Sequence, residues 1–299
     1  MVNQSRIKLS ILVPTIGRTI ELSALLHSIL DAKLSFPYEI VLIDQNSIGY
    51  LDEVLNNYRN KLPIKHHVVK FKGLSKAKNY GVKVSCGSFI CFPDDDCKIF
   101  PDTFLNAFSL IEKENADLVF GKCIDEKGND SVLNFQKEKY TLNKENMLGG
   151  FVEATVVCKR DVFMNFEFDE NMGAGTFFGA EEGFDWLYRI LSHSNLKAVF
   201  SPEITFYHPQ VIVSKGDISA LNRVFKYRCG TAYLCQKHSF NKKYFSRVFL
   251  SFLAYLFYFF IDKNKSEYYK TEWMALQIGK IFAKKKISSL KKDPFYSRE

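Results

Sequence analysis

The seven cysteines, at 86, 91, 97, 123, 158, 229 and 235, are odd in number and contain no CxxC pair, so neither a disulfide framework nor a zinc site is suggested. A reducing cytoplasm suits that pattern. No GxGxxG follows the first strand-like run and no GxxxxGK[ST] occurs anywhere, which removes the usual dinucleotide and P-loop readings. Low-complexity tracts and internal repeats are absent. The longest apolar run, residues 248–261, has 14 residues, fewer than the ~20 a spanning helix needs. The opening stretch MVNQSRIKLSILVPT has an apolar run of only five residues, 9–13, before Pro14 and no cleavage-site pattern, so it reads as a strand rather than a signal peptide. Residues 1–240 hold 28 basic and 28 acidic side chains, a balance that argues against a nucleic-acid-binding face. The excess lies beyond, where residues 241–299 carry 13 Lys and Arg against 5 Asp and Glu. That basic end points to an anionic surface such as the cytoplasmic face of a membrane.

What is present is an ordinary soluble composition, 46% hydrophobic and 25% charged over 299 residues, enriched in aromatics by 28 Phe and 15 Tyr. The length suits one large domain with an appendage, here 1–215 and 216–299. Leu9–Val13 reads as a buried strand ending at Pro14-Thr15, and Thr19–Ala32 as a helix with Leu22, Leu25, Leu26, Ile29 and Leu30 on one stripe. Strands follow at 38–43, ending in Asp44, then at 66–71 and 89–92, with helices at 51–58 and 74–84 between them. This alternation predicts an α/β fold with a mostly parallel sheet flanked by helices. Farther on, the pattern predicts a helix over 101–115, a strand over 118–123, a polar loop over 125–146 that closes over a ligand, and a strand over 151–158. Short strands are expected at 197–200 and 204–207, and two helices near 248–261 and 267–283 form a C-terminal helical extension.

Chemistry concentrates at Ser88–Cys97, SFICFPDDDC, where an apolar strand runs into Asp94, Asp95 and Asp96. Three adjacent carboxylates repel one another unless a cation or a set of donors sits among them, and hard oxygen ligands imply Mg2+ or Mn2+. The competing structural explanation is a turn that caps the helix after Pro101. A second cluster, Glu181, Glu182 and Asp185, opens a helix behind Gly173, Gly175 and Gly179. The helix macrodipole alone accounts for acids there, yet the same dipole keeps a carboxylate ionised as a general base requires. His208, after a strand, is either a structural histidine or a further metal ligand.

The order of these motifs resembles the inverting family 2 glycosyltransferases of bacteria, which have the GT-A (Rossmann-like) fold, over about Leu9 to Pro209. ILVPTIGR is similar to the first strand and nucleotide-contacting turn, with Pro14, Thr15 and Arg18. VLIDQNS resembles the second strand, whose Asp44 would face the base. GLSKAKNYG resembles a donor-binding segment with Lys78, where Arg is commoner, and Asn79. FPDDDC is similar to the DxD motif, which implies donor contacts for Asp94 and Asp95 and a metal ligand in Asp96. GAEEGFDWLYR resembles the segment carrying the catalytic base, with Glu182 favoured over Glu181 and Asp185 beside them; YHP resembles the late metal-site histidine, here His208.

The resemblance implies transfer of a sugar from a nucleotide sugar, a UDP-sugar first, to a hydroxyl of a glycan or lipid-linked glycan. It implies inversion, a divalent cation, and work in capsule, O-antigen or other surface polysaccharide synthesis. The basic end would then place the enzyme peripherally on the inner leaflet, or its helices would pack on the catalytic domain or pair two copies. Two other classes stay open at this stage. Nucleotidyl transfer onto a sugar phosphate would use the same sheet and metal with Gly17-Arg18 as a phosphate loop, and a binding module recruited to the membrane would use them without catalysis.

Overall fold

The computed structural model describes residues 7–210 and 217–290. The boundary expected at 215/216 lies outside these residues, as do Lys291 and Lys292. In chain order the first strands and helices are β1 (Leu9–Thr15), α1 (Ile20–Asp31), β2 (Tyr38–Asp44), α2 (Asp52–Asn56), β3 (Ile64–Val68), α3 (Leu74–Val84), β4 (Phe89–Cys91), β5 (Lys98–Ile99) and α4 (Thr103–Glu114). Then come β6 (Leu118–Ile124), β7 (Tyr140–Thr141), β8 (Val157–Lys159), α5 (Arg160–Asn165), α6 (Glu182–His193), β9 (Ala198–Tyr207), α7 (Ile218–Lys237), α8 (Asn241–Phe259) and α9 (Lys263–Leu290). The described chain forms two compact units, residues 7–168 with 186–210 and residues 169–185 with 217–290, the division falling inside α6.

The first unit is built on one nine-stranded sheet of order β3-β2-β1-β4-β8-β6-β9-β5, with β7 added on β9. β1 is buried along its whole length, as a central strand with covered faces must be, and its sequence LSILVPT is correspondingly apolar. It pairs in parallel with β2 and β4, and β2 with β3. The α/β expectation holds in this half as a parallel sheet. The other half is mixed, since β8 runs antiparallel to both β4 and β6. α1 turns Leu22, Leu25, Leu26 and Ile29 of the predicted stripe fully inward onto the core, while Leu30 at its edge is only partly buried.

Three local readings shift. β3 spans 64–68 rather than 66–71, because the Val69 N–H bonds Asp44 O at the end of β2 and the ladder closes there. Instead of a strand over 151–158, Glu153–Thr155 forms a single 3-10 turn before β8. Thr155 exchanges hydrogen bonds with the Gly121 backbone at 3.2 and 3.0 Å, which draws this stretch out of the ladder. The two short strands flanking Ser201-Pro202 are one strand, β9. Pro202 cannot donate to a ladder, and it is tolerated where the β6–β9 register shifts between Phe120 and Lys122.

The second unit is helical. Asp217 caps α7 by accepting from Ala220 N at 2.7 Å, and α7, α8 and α9 pack on one another around Cys229, Tyr233, Leu234, Ala275 and Leu276. The residue pattern anticipates α8 and α9; α7, with polar residues on most of its surface, carries no comparable signal.

Candidate active site

The parallel strands β1, β2 and β4 deliver their last residues to one edge of the first unit, where ligands of open α/β sheets bind. Thr15 lies in register with Asp44. Asp44 is fully buried and engaged by protein donors: Asn46 N and Nδ2 each reach Oδ1 at 2.8 Å, and His66 Nε2 donates to Oδ2 at 2.9 Å. Nothing in the residue order marks His66, because its place beside Asp44 depends on the β2–β3 register.

Lys78 is wholly buried on α3, with Glu153 Oε1 at 3.5 Å and the Phe92 and Phe168 rings 5.9 and 5.3 Å from its ammonium group. Asn79 clamps the Phe168 backbone from both sides, donating to its O and accepting from its N at 3.0 Å each. Its geometry is that of a positioning residue.

After β4 the aspartates divide their roles. Arg18 reaches back from the β1 turn, and its Nη1 lies 2.6 Å from both Asp95 Oδ1 and Asp96 Oδ2. Burial lowers the Arg18 guanidinium's affinity for its proton, but the Asp95 and Asp96 charges outweigh that and hold its pKa above the usual value. Burial pushes the Asp95 carboxyl up against the pull of Arg18. Asp94 rises to about 6: burial is the largest cause, Lys78 opposes it, and Glu153 and Asp96 add to it. The second oxygen of Asp96, Oδ1, is buried with no hydrogen-bond partner, and His208 Nε2 stands 3.7 Å from it.

His208 is held at the end of β9, its N–H on Ile124 O and its carbonyl accepting from Ser131 Oγ. Its Nδ1 lies 2.7 Å from Pro209 O. A carbonyl only accepts, so Nδ1 carries a hydrogen and Nε2 is the ring nitrogen that faces Asp96. Ligand atoms of Asp94, Asp96 and His208 lie within 4.8 Å of one another. An orphaned carboxylate oxygen, a second carboxylate and an imidazole oriented through its other nitrogen make a donor set that fits a divalent cation.

The acidic motif belongs to the second unit. Gly179 N bonds Lys226 O on α7 at 3.0 Å, and a Cβ on Gly230 of α7 would come within 2.6 Å of Ala180 O, so glycine lets the loop lie flat on the helix. Glu181 then takes a left-handed backbone, φ +73°, a strained conformation for a residue with a side chain, and its Oε1 accepts from Thr231 Oγ1 at 2.8 Å. Glu182, 7% exposed, begins α6. Asp185, fully buried, has Lys237 Nζ and His238 Nε2 at 2.9 and 2.7 Å from Oδ1. Lys237 also bonds Asp169, which burial alone would raise but Lys237 and the Asn171 backbone hold low. Asp169, Lys237 and His238 belong to no motif in the sequence.

The family model for glycosyl transferase family 2 matches residues 10–173, more than half of the chain and the whole span from β1 to the start of the glycine loop. The chain belongs to glycosyl transferase family 2. Among curated relatives, the poly(ribitol-phosphate) beta-N-acetylglucosaminyltransferase TarS of Staphylococcus aureus strain MW2 is 31% identical over 120 residues, covering 38% of this chain and 21% of TarS. A GalNAc(5)-diNAcBac-PP-undecaprenol beta-1,3-glucosyltransferase of Campylobacter jejuni is 28% identical over 185 residues, 58% of this chain and 57% of that enzyme. The chain thus spans about a fifth of TarS and somewhat over half of the C. jejuni protein. The crystal structure of S. aureus TarS 1–349 in complex with UDP-GlcNAc superposes with TM-score 0.60 over 91% of each chain, at 16% identity. At that identity the superposition shows a shared GT-A fold.

Proposed function

We propose that this family 2 glycosyltransferase moves a sugar from a nucleotide-sugar donor to a hydroxyl of a glycan acceptor with inversion at the anomeric carbon. The observation that carries the reading is the Asp94–Asp96–His208 cluster at the strand ends, with the buried Asp96 oxygen left for a ligand. UDP-sugars are the proposed donors, since structures of TarS 1–349 hold UDP-GlcNAc and UDP.

Asp96 and His208, with Asp94 beside them, would hold Mn2+ or Mg2+, which supplies positive charge against the leaving diphosphate. Pro14, Thr15, Asp44, Lys78, Asn79, Asp94 and Asp95 form or support the donor site, and Arg18 is placed to exchange its aspartate partners for a phosphate. Glu182 takes the proton of the acceptor hydroxyl as it attacks the face opposite the leaving group, so a single displacement suffices and no covalent intermediate forms. Glu181 and Asp185, each held by α7, position it. Residues 1–215 would carry this chemistry, and residues 216–299 would hold the enzyme on the inner leaflet of the cytoplasmic membrane beside a lipid-linked acceptor of surface polysaccharide synthesis.

The test is nucleotide release from a panel of UDP-sugars with Mn2+, with Mg2+ and with chelator. UDP release that depends on the cation, and that Asp96→Ala lowers by at least about two orders of magnitude, is expected. Pyrophosphate release from UTP supplied with a sugar 1-phosphate would instead establish nucleotidyl transfer, and unchanged turnover in Asp96→Ala would remove the metal site.

A further inference from the structure

Helix α8 turns apolar side chains outward. Phe245, Phe249, Leu253, Phe257 and Phe260 are 43–88% exposed and follow one another at spacings of three or four residues, which places them on one solvent-facing stripe. The opposite face is already satisfied, with Tyr244 and Val248 packed against Ala232, Cys235 and Leu276 of the neighbouring helices. A continuous aromatic stripe in water is unfavourable and marks an interaction surface.

The charges around it decide the partner. Residues 217–290 carry fourteen Lys and Arg against four Asp and Glu. Exposed Lys242 precedes the stripe and exposed Lys263 follows it, while Lys243 lies over the Phe184 ring and Lys265 pairs with Asp262 at 3.2 Å; Lys280 of α9 lies 4.4 and 4.9 Å from the ring centroids of Tyr244 and Phe245. Lys284 and Lys285 extend the cationic border along α9, both exposed. Because both ends of α8 are basic, pairing with a second copy sets lysine against lysine in either the parallel or the antiparallel orientation. An anionic surface complements both ends at once. Among the described residues no helix is long and apolar enough to cross a membrane, so the stripe lies in the interface rather than through it.

We propose that the outward face of α8 docks onto an anionic lipid bilayer, with Phe249, Leu253 and Phe257 below the headgroups and the flanking lysines on lipid phosphates. This rests on, and deepens, the reading of an enzyme working beside a membrane-held acceptor.

The full chain is sedimented with vesicles of phosphatidylcholine alone and with about 30% phosphatidylglycerol added. Binding to the anionic vesicles only is expected, weakening as salt rises. The triple substitution Phe249→Ser, Leu253→Ser, Phe257→Ser should lower the bound fraction about tenfold or more at unchanged circular dichroism and melting temperature, since the three side chains face solvent. Lys284→Gln with Lys285→Gln should weaken binding about fivefold for each lysine removed. A supernatant holding the full chain with anionic vesicles at low salt overturns the proposal, as does a triple variant that binds equally well. Concentration-dependent dimers in the ultracentrifuge, lost in the triple variant and without vesicle binding, assign the stripe to a second copy and overturn it too. UDP release measured on the same samples keeps the two readings apart: turnover without vesicle binding sinks docking alone, whereas vesicle binding without turnover supports docking and removes the catalytic reading.

Discussion

Adjacent Glu181 and Glu182 are chemically alike, and backbone and partners separate them. Glu181 sits in a left-handed conformation with its side chain bonded to Thr231, so its carboxylate is tied to α7; Glu182 stands at the first turn of α6, where the helix dipole favours the ionised form. Glu182→Gln is expected to keep donor affinity and lose transfer by about two to four orders of magnitude, the range of a general base. Glu181→Gln keeps an oxygen for Thr231 and should lose less than about tenfold, the scale of one neutral-for-charged hydrogen bond. Single-turnover transfer at saturating donor measures both, and the reverse ranking would move the base to Glu181. Elsewhere in the first unit, Glu39 is 2% exposed and accepts from Ser10 Oγ and Cys86 N beside Lys65 Nζ at 2.6 Å. Burial alone would raise its pKa, but these partners together hold it below the usual carboxylate value. A depressed folded-state pKa gives stability that is present above the unfolded value and is lost as pH falls through the folded one. Glu39→Gln should therefore cost about 1–3 kcal/mol at neutral pH. In urea titrations the gap between the two proteins should close as pH drops below about 4. A gap independent of pH would show that packing, not charge, is what the substitution removes.

At the scale of elements, legibility followed the kind of signal each residue carries. β1 and α1 announce themselves because an apolar run and a 3.6-residue stripe are local properties, and the three aspartates after β4 are visible as a charge anomaly at a strand end. His66, Glu153, Lys237 and His238 could not be found that way. Each acquires its partner through register or helix packing, tens of residues away in sequence, and a lone Lys or His carries no pattern of its own. Pro202 is a strand breaker by its sequence and divides β9 into two short runs there, and only the shifted β6 ladder shows why it is tolerated. The pairing of α7 with α9 was equally hidden, although it hangs on one small residue. A Cβ on Gly279 would come within 2.7 Å of the Cys229 Cα and 3.0 Å of the Ala232 Cβ, closer than packed helices allow. Gly279→Val is expected to push α9 from α7 and destabilise the second unit by about 1–3 kcal/mol or more, the range for overpacking. Thermal unfolding checks it: a variant melting at or above the parent temperature would mean the helices relax without loss.

The first unit's sheet gathers Thr15, Asp44 and Asp94–Asp96 at its strand ends, the second unit carries the acidic motif, and α8 and α9 pack with α7 inside that second unit rather than standing apart as a detachable anchor. Asp185 is held by Lys237 and His238 at the end of α7, and α7 in turn is covered by α9 through Cys229, Tyr233, Leu234, Ala275 and Ala283. α8 and α9 are tied to α7 by a buried acid as well: Glu272, 2% exposed, has Arg228 Nε and Arg247 Nε at 2.8 and 2.6 Å. Ending the chain after Phe240 removes α8 and α9, strips that apolar cover and leaves the face of α7 in water. Uncovering Leu234 alone costs about 1.5–3 kcal/mol, and Tyr233 and Cys229 add to that, a large share of what one helical unit can spare. The truncated chain is therefore expected to lose transfer even toward a water-soluble acceptor, and to show a first unfolding transition shifted down or abolished, with the sheet unit melting separately. This separates anchoring from folding. The triple serine substitution on the outer face of α8 leaves the α7–α9 contact intact and should retain transfer in solution, whereas the truncation should not. Calorimetry of the three proteins beside a soluble-acceptor assay decides the matter: a truncated chain that melts like the parent and transfers at the parent rate would show that α8 and α9 serve the surface alone and that α7 holds Asp185 without them.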